Sequence, residues 1–254
     1  MDLEERRRRA DANAVAAFTL AQARFGDPKS ETARFGAVEA VAIGVDVAFY
    51  NPVLALDPAS TPSDALAAIA WVEAKGLPVS VQIRSDIDPD VRTAVEGHGL
   101  VADPWATPVM VLESIPPGPP VPVDVVIRTG GTELFDDFHA AIESGEIFRR
   151  VFGFHLVADP RVRLAVGYLD GAPVSGAAAI RAEGTIGIYA VGTVERARRR
   201  GIGRAVTWAA IDAGRTAWDS EIAILQSSEM GAAVYRSMGF EEISRYIWLD
   251  RPKG

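Results

Sequence analysis

The stretch Arg196–Ala205, RARRRGIGRA, gathers five arginines and two glycines into ten residues of a 254-residue chain whose formal net charge is −8. So many guanidinium groups in one place in an acidic protein predict a bound anion. The glycines suggest how it is held. Without a Cβ, Gly201 and Gly203 let backbone approach a ligand closely, and a helix begins at Gly201. The first turn of a helix carries N–H groups with no intrahelical partner and the positive end of the backbone dipole, which together suit a phosphate. Charge from Arg198, Arg199, Arg200 and Arg204 would offset that of the ligand.

Several known loops compete for this pattern. A Walker A loop would need Gly-Lys-Ser/Thr, which does not follow. A Rossmann fingerprint would want a third small residue at position 206, where Val206 stands, and a parallel strand before the loop. A solvated basic helix end or a nonspecific nucleic-acid patch is the plain alternative, but such patches belong to basic domains with interleaved aromatics. The other arginine run, EERRRR near the N-terminus, reads as a solvated helix start. No cysteine is present, which excludes disulfides, thiolate metal sites and a cysteine nucleophile. His98, His139 and His155 lack ligand-like spacing, so no metal is expected, and His155 reads as a packed or surface histidine. Glu39 and Asp46 interrupt AVEAVAIGVDVAFY, and no apolar run reaches the roughly 20 residues of a membrane span. With no leader pattern at the N-terminus, a cytoplasmic protein without a membrane or nucleic-acid partner is expected.

The elements that must position the arginine loop can be read on both sides of it. At 48% hydrophobic and 24% charged residues the chain can bury a real core. Pro116, Pro117, Pro119, Pro120 and Pro122 mark a stiff linker, 116–123, between segments 1–115 and 124–254. In the second segment Val162, Leu164, Val166 and Tyr168 alternate, and Asp170-Gly171 and Glu183-Gly184 mark hairpin turns, giving a three-strand antiparallel meander. Ile202, Val206, Ala209, Ala213 and Ala217 recur at helical spacing. EIAILQ suits a central strand, a helix runs through Ala232 to Met238, Gly239 breaks it, and RYIWL is a last strand. In the first segment a helix is expected at about 11–24, a strand at about 37–49, a helix at about 62–75, a strand in LPVSVQI, a short helix and a strand in TPVMVLE. The fold class is α/β (α+β), a mixed and mostly antiparallel sheet flanked by helices.

Arg198-x-x-Gly201-x-Gly203 resembles the Gln/Arg-x-x-Gly-x-Gly/Ala pyrophosphate loop of the GNAT superfamily of N-acetyltransferases. GIYAVGTVERARRRGIG resembles that family's fourth strand entering its acyl-CoA loop, and LQSSEMGAAVYRSMGFEEI resembles its strand-helix segment, with Tyr235, Gly239 and Phe240 in register. Together these cover most of 124–249. The resemblance implies acetyl-CoA as co-substrate, its pyrophosphate cradled by backbone N–H groups from Arg199 through Gly201, Ile202, Gly203 and Arg204 to Ala205. It further implies that Val191, Gly192, Thr193 and Val194 pair with the pantetheine amides, one N–H polarising the thioester carbonyl. Gly192 suits a bulge there, or is a plain small residue of the sheet. Tyr235 is the implied general acid for the departing thiolate, with simple packing on CoA as its alternative. Ser228 stands where many members carry an asparagine and keeps a hydroxyl for the contact. Met230 and Ala233 would line the cofactor side of the helix, core packing being the other reading of Met230. No general base is assigned: Glu143, Glu146, Glu195 and Glu229 read as solvated carboxylates, and water can serve. The implied reaction is direct acetyl transfer to an amine, of a small molecule or amino acid in the first instance and of a peptide or protein in the second. The non-enzyme alternative is a silent acyl-CoA sensor. Homodimerisation is left open.

ALAAIAWVEAKGLPVSVQIRSDIDPDVRTAVEGHGLVADPWATPVMVL lines up with AVTWAAIDAGRTAWDSEIAILQSSEMGAAVYRSMGFEEISRYIWL as helix, strand with Gln82 or Gln226, short helix and closing strand. An internal duplication is expected, its first copy degenerate: NPVLALDPASTPSD has neither glycine nor arginine at the loop position, and Val95 takes the place of the tyrosine.

Overall fold

Asp2 accepts the amide of Glu5 at 2.8 Å and opens helix α1 (Leu3–Phe25), which Gly26 closes in the left-handed conformation. In the computed structural model, which describes residues 1–252, α1 starts the first of two compact units. Strands β1 (Glu31–Phe35), β2 (Val38–Ala42) and β3 (Pro52–Ala55) follow. Helix α2 (Pro62–Glu73) is capped by Thr61 and begins with proline, as the first turn tolerates. Strand β4 (Ser80–Arg84), helix α3 (Pro89–Gly97), capped by Asp88, and the short β5 (Val101–Ala102) complete the contiguous part. Pairing is antiparallel from β1 to β2 and β2 to β3, and parallel from β3 to β4. Ile69 and Val72 of α2 and Val91 and Val95 of α3 pack with Val38, Val53 and Val81 of the sheet as one buried cluster.

The expected strand at about 37–49 ends at Ala42. Asn51, fully buried, is the cause: its Oδ1 accepts from the amides of Ile43 and Gly44, and its Nδ2 donates to the carbonyls of Val45 and Pro78. A side-chain amide there replaces ladder hydrogen bonds and turns the chain.

The second unit contains Met110–Gln226 and Met230–Glu241. Its elements are β6 (Thr107–Glu113), β7 (Val125–Gly130), the helices α4 (Phe135–Ala141), α5 (Glu146–Val151) and α6 (Phe154–Val157), then β8 (Val162–Leu169), β9 (Ala172–Ala182), β10 (Thr185–Thr193), α7 (Ile202–Trp218), β11 (Ile222–Gln226) and α8 (Glu229–Ser237). The proline-rich stretch from 115 to 122 carries neither helix nor strand. Strand order is β6-β11-β10-β9-β8-β7. Both meander turns have positive φ at their two central residues, 53° and 79° at Asp170-Gly171 and 47° and 69° at Glu183-Gly184. That is the backbone whose twist matches paired strands.

Helix α7 lies close on this sheet because glycines admit it. A Cβ on Gly167 would stand 2.7 Å from Val206 Cγ2, and one on Gly214 2.7 Å from Ile186 Cγ2. Its buried stripe runs through Ile202, Val206, Ala210, Ile211 and Gly214, whereas Ala217, expected on that stripe, is exposed. Alanine is small enough to sit on either face, so its spacing says little about which way the helix turns.

The closing strands are exchanged between the units. Strand β6 follows α3 in the chain but joins β11 in the second unit, while β12 (Glu241–Asp250), which follows α8, pairs antiparallel with β4 and β5 in the first. Segments contiguous in sequence are therefore not the compact units. Fully buried Tyr246 of β12 donates to Asp11 of α1 at 2.5 Å, and Arg84 of β4 donates to the same carboxylate at 2.8 Å. Burial raises the Asp11 pKa to about 6, against the pull of both donors, so at neutral pH it remains ionised and paired. Tyr246→Phe leaves this buried acceptor a donor short and is predicted to cost about 1–3 kcal/mol in denaturant unfolding.

In the second unit His139 is buried, its Nε2 donating to the Phe152 carbonyl at 3.0 Å and its Nδ1 accepting from the Ser144 hydroxyl at 2.7 Å. That assignment fits a neutral ring, and burial lowers its pKa below the ordinary value of 6.5. Between the folded pKa and 6.5 the unfolded chain binds more protons, so stability is retained above that window and lost as pH falls through it. Unfolding at pH 7.5 and pH 5.5 is predicted to show a smaller acid loss in His139→Gln than in wild type.

Candidate active site

Strand β10 runs parallel to β11 only for Ile186, Gly187 and Ile188, opposite Ala223, Ile224 and Leu225, yet it continues to Thr193. On its other side the antiparallel register with β9 passes from Tyr189–Ala178 to Gly192–Gly176, so Ala190 and Val191 together face Ala177. This is a β-bulge. The positive φ it requires, 50°, falls on Ala190. Gly192 serves close packing instead, since a Cβ there would stand 2.9 Å from the Ile142 Cβ and 3.1 Å from the Ile142 Cα, and its absence admits the residue that ends α4. Beyond Ile188 the register with β11 gives out while β10 continues to Thr193.

The chain then reaches the arginine turn. Val194 and Ala197 are buried and anchor it, leaving Arg196, Arg198, Arg199 and Arg200 exposed. Arg199 has φ 60° and Gly201, at the N-cap of α7, 75°. Nothing lies within 4 Å of a Cβ built on Gly201, so its glycine serves conformation; on Gly203 a Cβ would stand 3.0 Å from Thr193 Oγ1, so there glycine serves approach. No side chain caps α7, in contrast to α1, α2 and α3. Its first i to i−4 bond is Ala205 N to Gly201 O at 3.0 Å, which leaves the amides of Ile202, Gly203 and Arg204 directed out of the helix end. The side chains of Ile202 and Ala205 are buried, so only their backbone is on offer. Arg198 donates to the Thr193 carbonyl at 3.0 Å, Arg200 pairs with Asp124, and among the described residues Arg196, Arg199 and Arg204 have no ion-pair partner. The turn can receive a dianion.

Tyr235 of α8 is partly buried and packs, like Val191, on the core beneath α7. Its ring meets Phe240 edge-on at 5.9 Å, and its carbonyl accepts the amides of Met238 and Phe240. Burial pushes its phenol above the usual 10, which keeps it protonated at neutral pH, the state an acid needs. Met230 is 90% exposed and Ala233 exposed, so neither belongs to the core. Ser228 is exposed between β11 and α8, in the short segment Ser227–Glu229 that clusters with the first unit. Glu143, Glu146, Glu195, Glu229 and His155 are all exposed. Sequence reasoning missed Ala190, Ile142 and Ser175. Each matters through register or close contact and carries no residue-type signal.

Among the described residues no group of His, Cys, Asp or Glu side chains is arranged to hold a metal ion, and no helix is long and apolar enough to cross a membrane. Residues 128–226 match the family model of the acetyltransferase (GNAT) domain. Among solved structures, a GCN5-related N-acetyltransferase from Kribbella flavida is 22% identical, with TM-score 0.73 and 96% of each chain covered. A GCN5-related N-acetyltransferase from Sphaerobacter thermophilus is 19% identical, with TM-score 0.60, over 86% of this chain and 78% of that one. A tandem GNAT protein from the clavulanic acid biosynthesis pathway is 13% identical, with TM-score 0.63, over 96% and 94%. These are likenesses of fold. No curated protein sequence matches the chain. The family match spans β10, the arginine turn, α7 and β11, the segment in which an uncapped helix start follows a bulged strand. Residues 128–226 are thus similar to a GNAT acetyltransferase domain, in sequence pattern and in fold.

Proposed function

We propose that the second unit transfers the acetyl group of acetyl-CoA directly to a primary amine of a small molecule or amino acid. The observation that carries this is the continuity of Ala190–Thr193, where β10 runs on past its register with β11, with the uncapped start of α7, one passage of chain offering first ladder groups and then bare amides. A ligand with amides at one end and a diphosphate at the other matches that sequence of groups. The amides of Ile202, Gly203 and Arg204 hold the diphosphate, with charge from Arg199 and Arg204 beside them. Val191–Thr193 pair with the pantetheine arm, the Val194 amide being already bonded to the Val174 carbonyl, and an N–H of that edge receives the charge that develops on the thioester oxygen. The acceptor nitrogen attacks the carbonyl carbon and gives its proton to water. As the C–S bond breaks, the thiolate takes the proton of Tyr235.

The first unit we read as a degenerate copy that holds no cofactor. Its support is the start of α2, where Thr61 caps the Asp64 amide and the Asp64 carboxylate itself accepts from Thr61, so the position equivalent to the anion site is filled by the chain's own groups.

Calorimetry with acetyl-CoA, followed by thiol release against a panel of amines, tests the reading. Binding with turnover is expected, and Tyr235→Phe should lower kcat by about 10²–10⁴ while changing the acetyl-CoA Kd less than about twofold. Binding without turnover across the panel would make the domain a sensor, and an unchanged kcat in the variant would remove Tyr235 from the proton transfer.

A further inference from the structure

We propose that Ser175 is a positioning residue for the acyl donor, its hydroxyl joining with that of Thr193 to fix the splayed end of β10 against the first turn of α7. The inference rests on the acetyl-CoA reading of the second unit. Ser175 faces Thr193 in the antiparallel register of β9 and β10, so the two side chains share one face of the sheet. Ser175 is fully buried and donates its proton to the Gly192 carbonyl at 2.8 Å. With that proton committed, the 2.9 Å contact between the two hydroxyls has Thr193 donating to Ser175. Thr193 Oγ1 in turn lies 3.0 Å from where a Gly203 Cβ would stand, against the turn that opens α7, and the Thr193 carbonyl accepts from Arg198.

The surroundings show that this hydroxyl is not there for packing. A Cβ on Gly167 would meet Val206 at 2.7 Å, Ile202 at 3.3 Å and the Ser175 Cβ at 3.8 Å, so the serine sits under α7 beside Val206 and Ile202. Alanine would fill that space with no polar group to satisfy. What the hydroxyl adds is a hold on Gly192, in the segment that has lost β11 as a partner. Two ligand-facing features, the open edge and the bare helix end, are thereby set at a fixed spacing. Only a ligand that touches both at once senses that spacing.

The test compares wild type with Ser175→Ala, Thr193→Val, Thr193→Ser and the Ser175→Ala/Thr193→Val pair. Acetyl-CoA spans both features, whereas ADP supplies the adenosine diphosphate without the pantetheine arm. Ser175→Ala and Thr193→Val are each expected to raise the acetyl-CoA KM and Kd about tenfold, with kcat within about threefold and ADP binding within about twofold. Thr193→Ser should stay within about twofold of wild type, and the double variant should fall well short of the product of the singles. Unchanged acetyl-CoA affinity in folded variants overturns the proposal. So does an equal loss for acetyl-CoA and ADP, the mark of general loosening. If Ser175→Ala does not fold, Thr193→Val against Thr193→Ser decides on the same criteria. Wild type that fails to bind acetyl-CoA removes the acetyl-CoA reading and this one together, whereas binding that no variant alters removes only the role of Ser175.

Discussion

Strand β10 cannot pair with β11 past Ile188, and the candidate site follows from that interruption. Backbone N–H and C=O groups in the middle of a sheet must be met by something, and here the ladder that would meet them stops while the strand goes on. The bulge at Ala190 and Val191 turns the strand aside, at the cost of a left-handed alanine, a conformation disfavoured by roughly 1–2 kcal/mol. Arg199 adds a second such position in the turn that follows. Strain of this kind persists only where the surrounding structure determines it. Ile142 pressed into the space left by Gly192, and Val194 and Ala197 sunk into the core, supply that determination.

The two units draw different consequences from similar elements. In each, a strand runs parallel to the next through a helix, β3 to β4 by α2 and β10 to β11 by α7. In the first, Thr61 and Asp64 close the helix start with an acceptor and a negative charge. In the second, glycine stands at the same point and arginines surround it. A helix end that a side chain has already capped has little left to offer a phosphate, and a carboxylate beside it repels one. The proposed acyl-donor site therefore lies in the second unit.

Local chemistry made much of this legible. The dipeptides Asp170-Gly171 and Glu183-Gly184 announce hairpins because few residues other than glycine take positive φ at low cost, and the meander stands where they place it. TPVMVLE and EIAILQ are strands, β6 in full and β11 but for its first residue, since short apolar runs between turn residues have few other uses. The arginine turn and the start of α7 coincide with the glycine that marks them. Hidden from sequence were the features set by contacts distant along the chain. Asn51 ends β2 through hydrogen bonds reaching as far as Pro78, β1 and β3 were not anticipated, and the exchange of β6 and β12 depends on which edge each closing strand finds. Gly192 drew attention as a bulge residue, yet alanine carries the bulge and glycine makes room for isoleucine. Ser175 reads in sequence as one more small strand residue; only its register opposite Thr193 gives it meaning.

The proposed function requires that the first amides of α7 grip a diphosphate. Titrating ¹⁵N-labelled protein with coenzyme A and following amide shifts measures this directly. Ile202, Gly203 and Arg204 are expected to move furthest, with the Ala190–Thr193 amides following as the pantetheine arm docks. Shifts that leave those three amides in place while saturating elsewhere on the protein would contradict it.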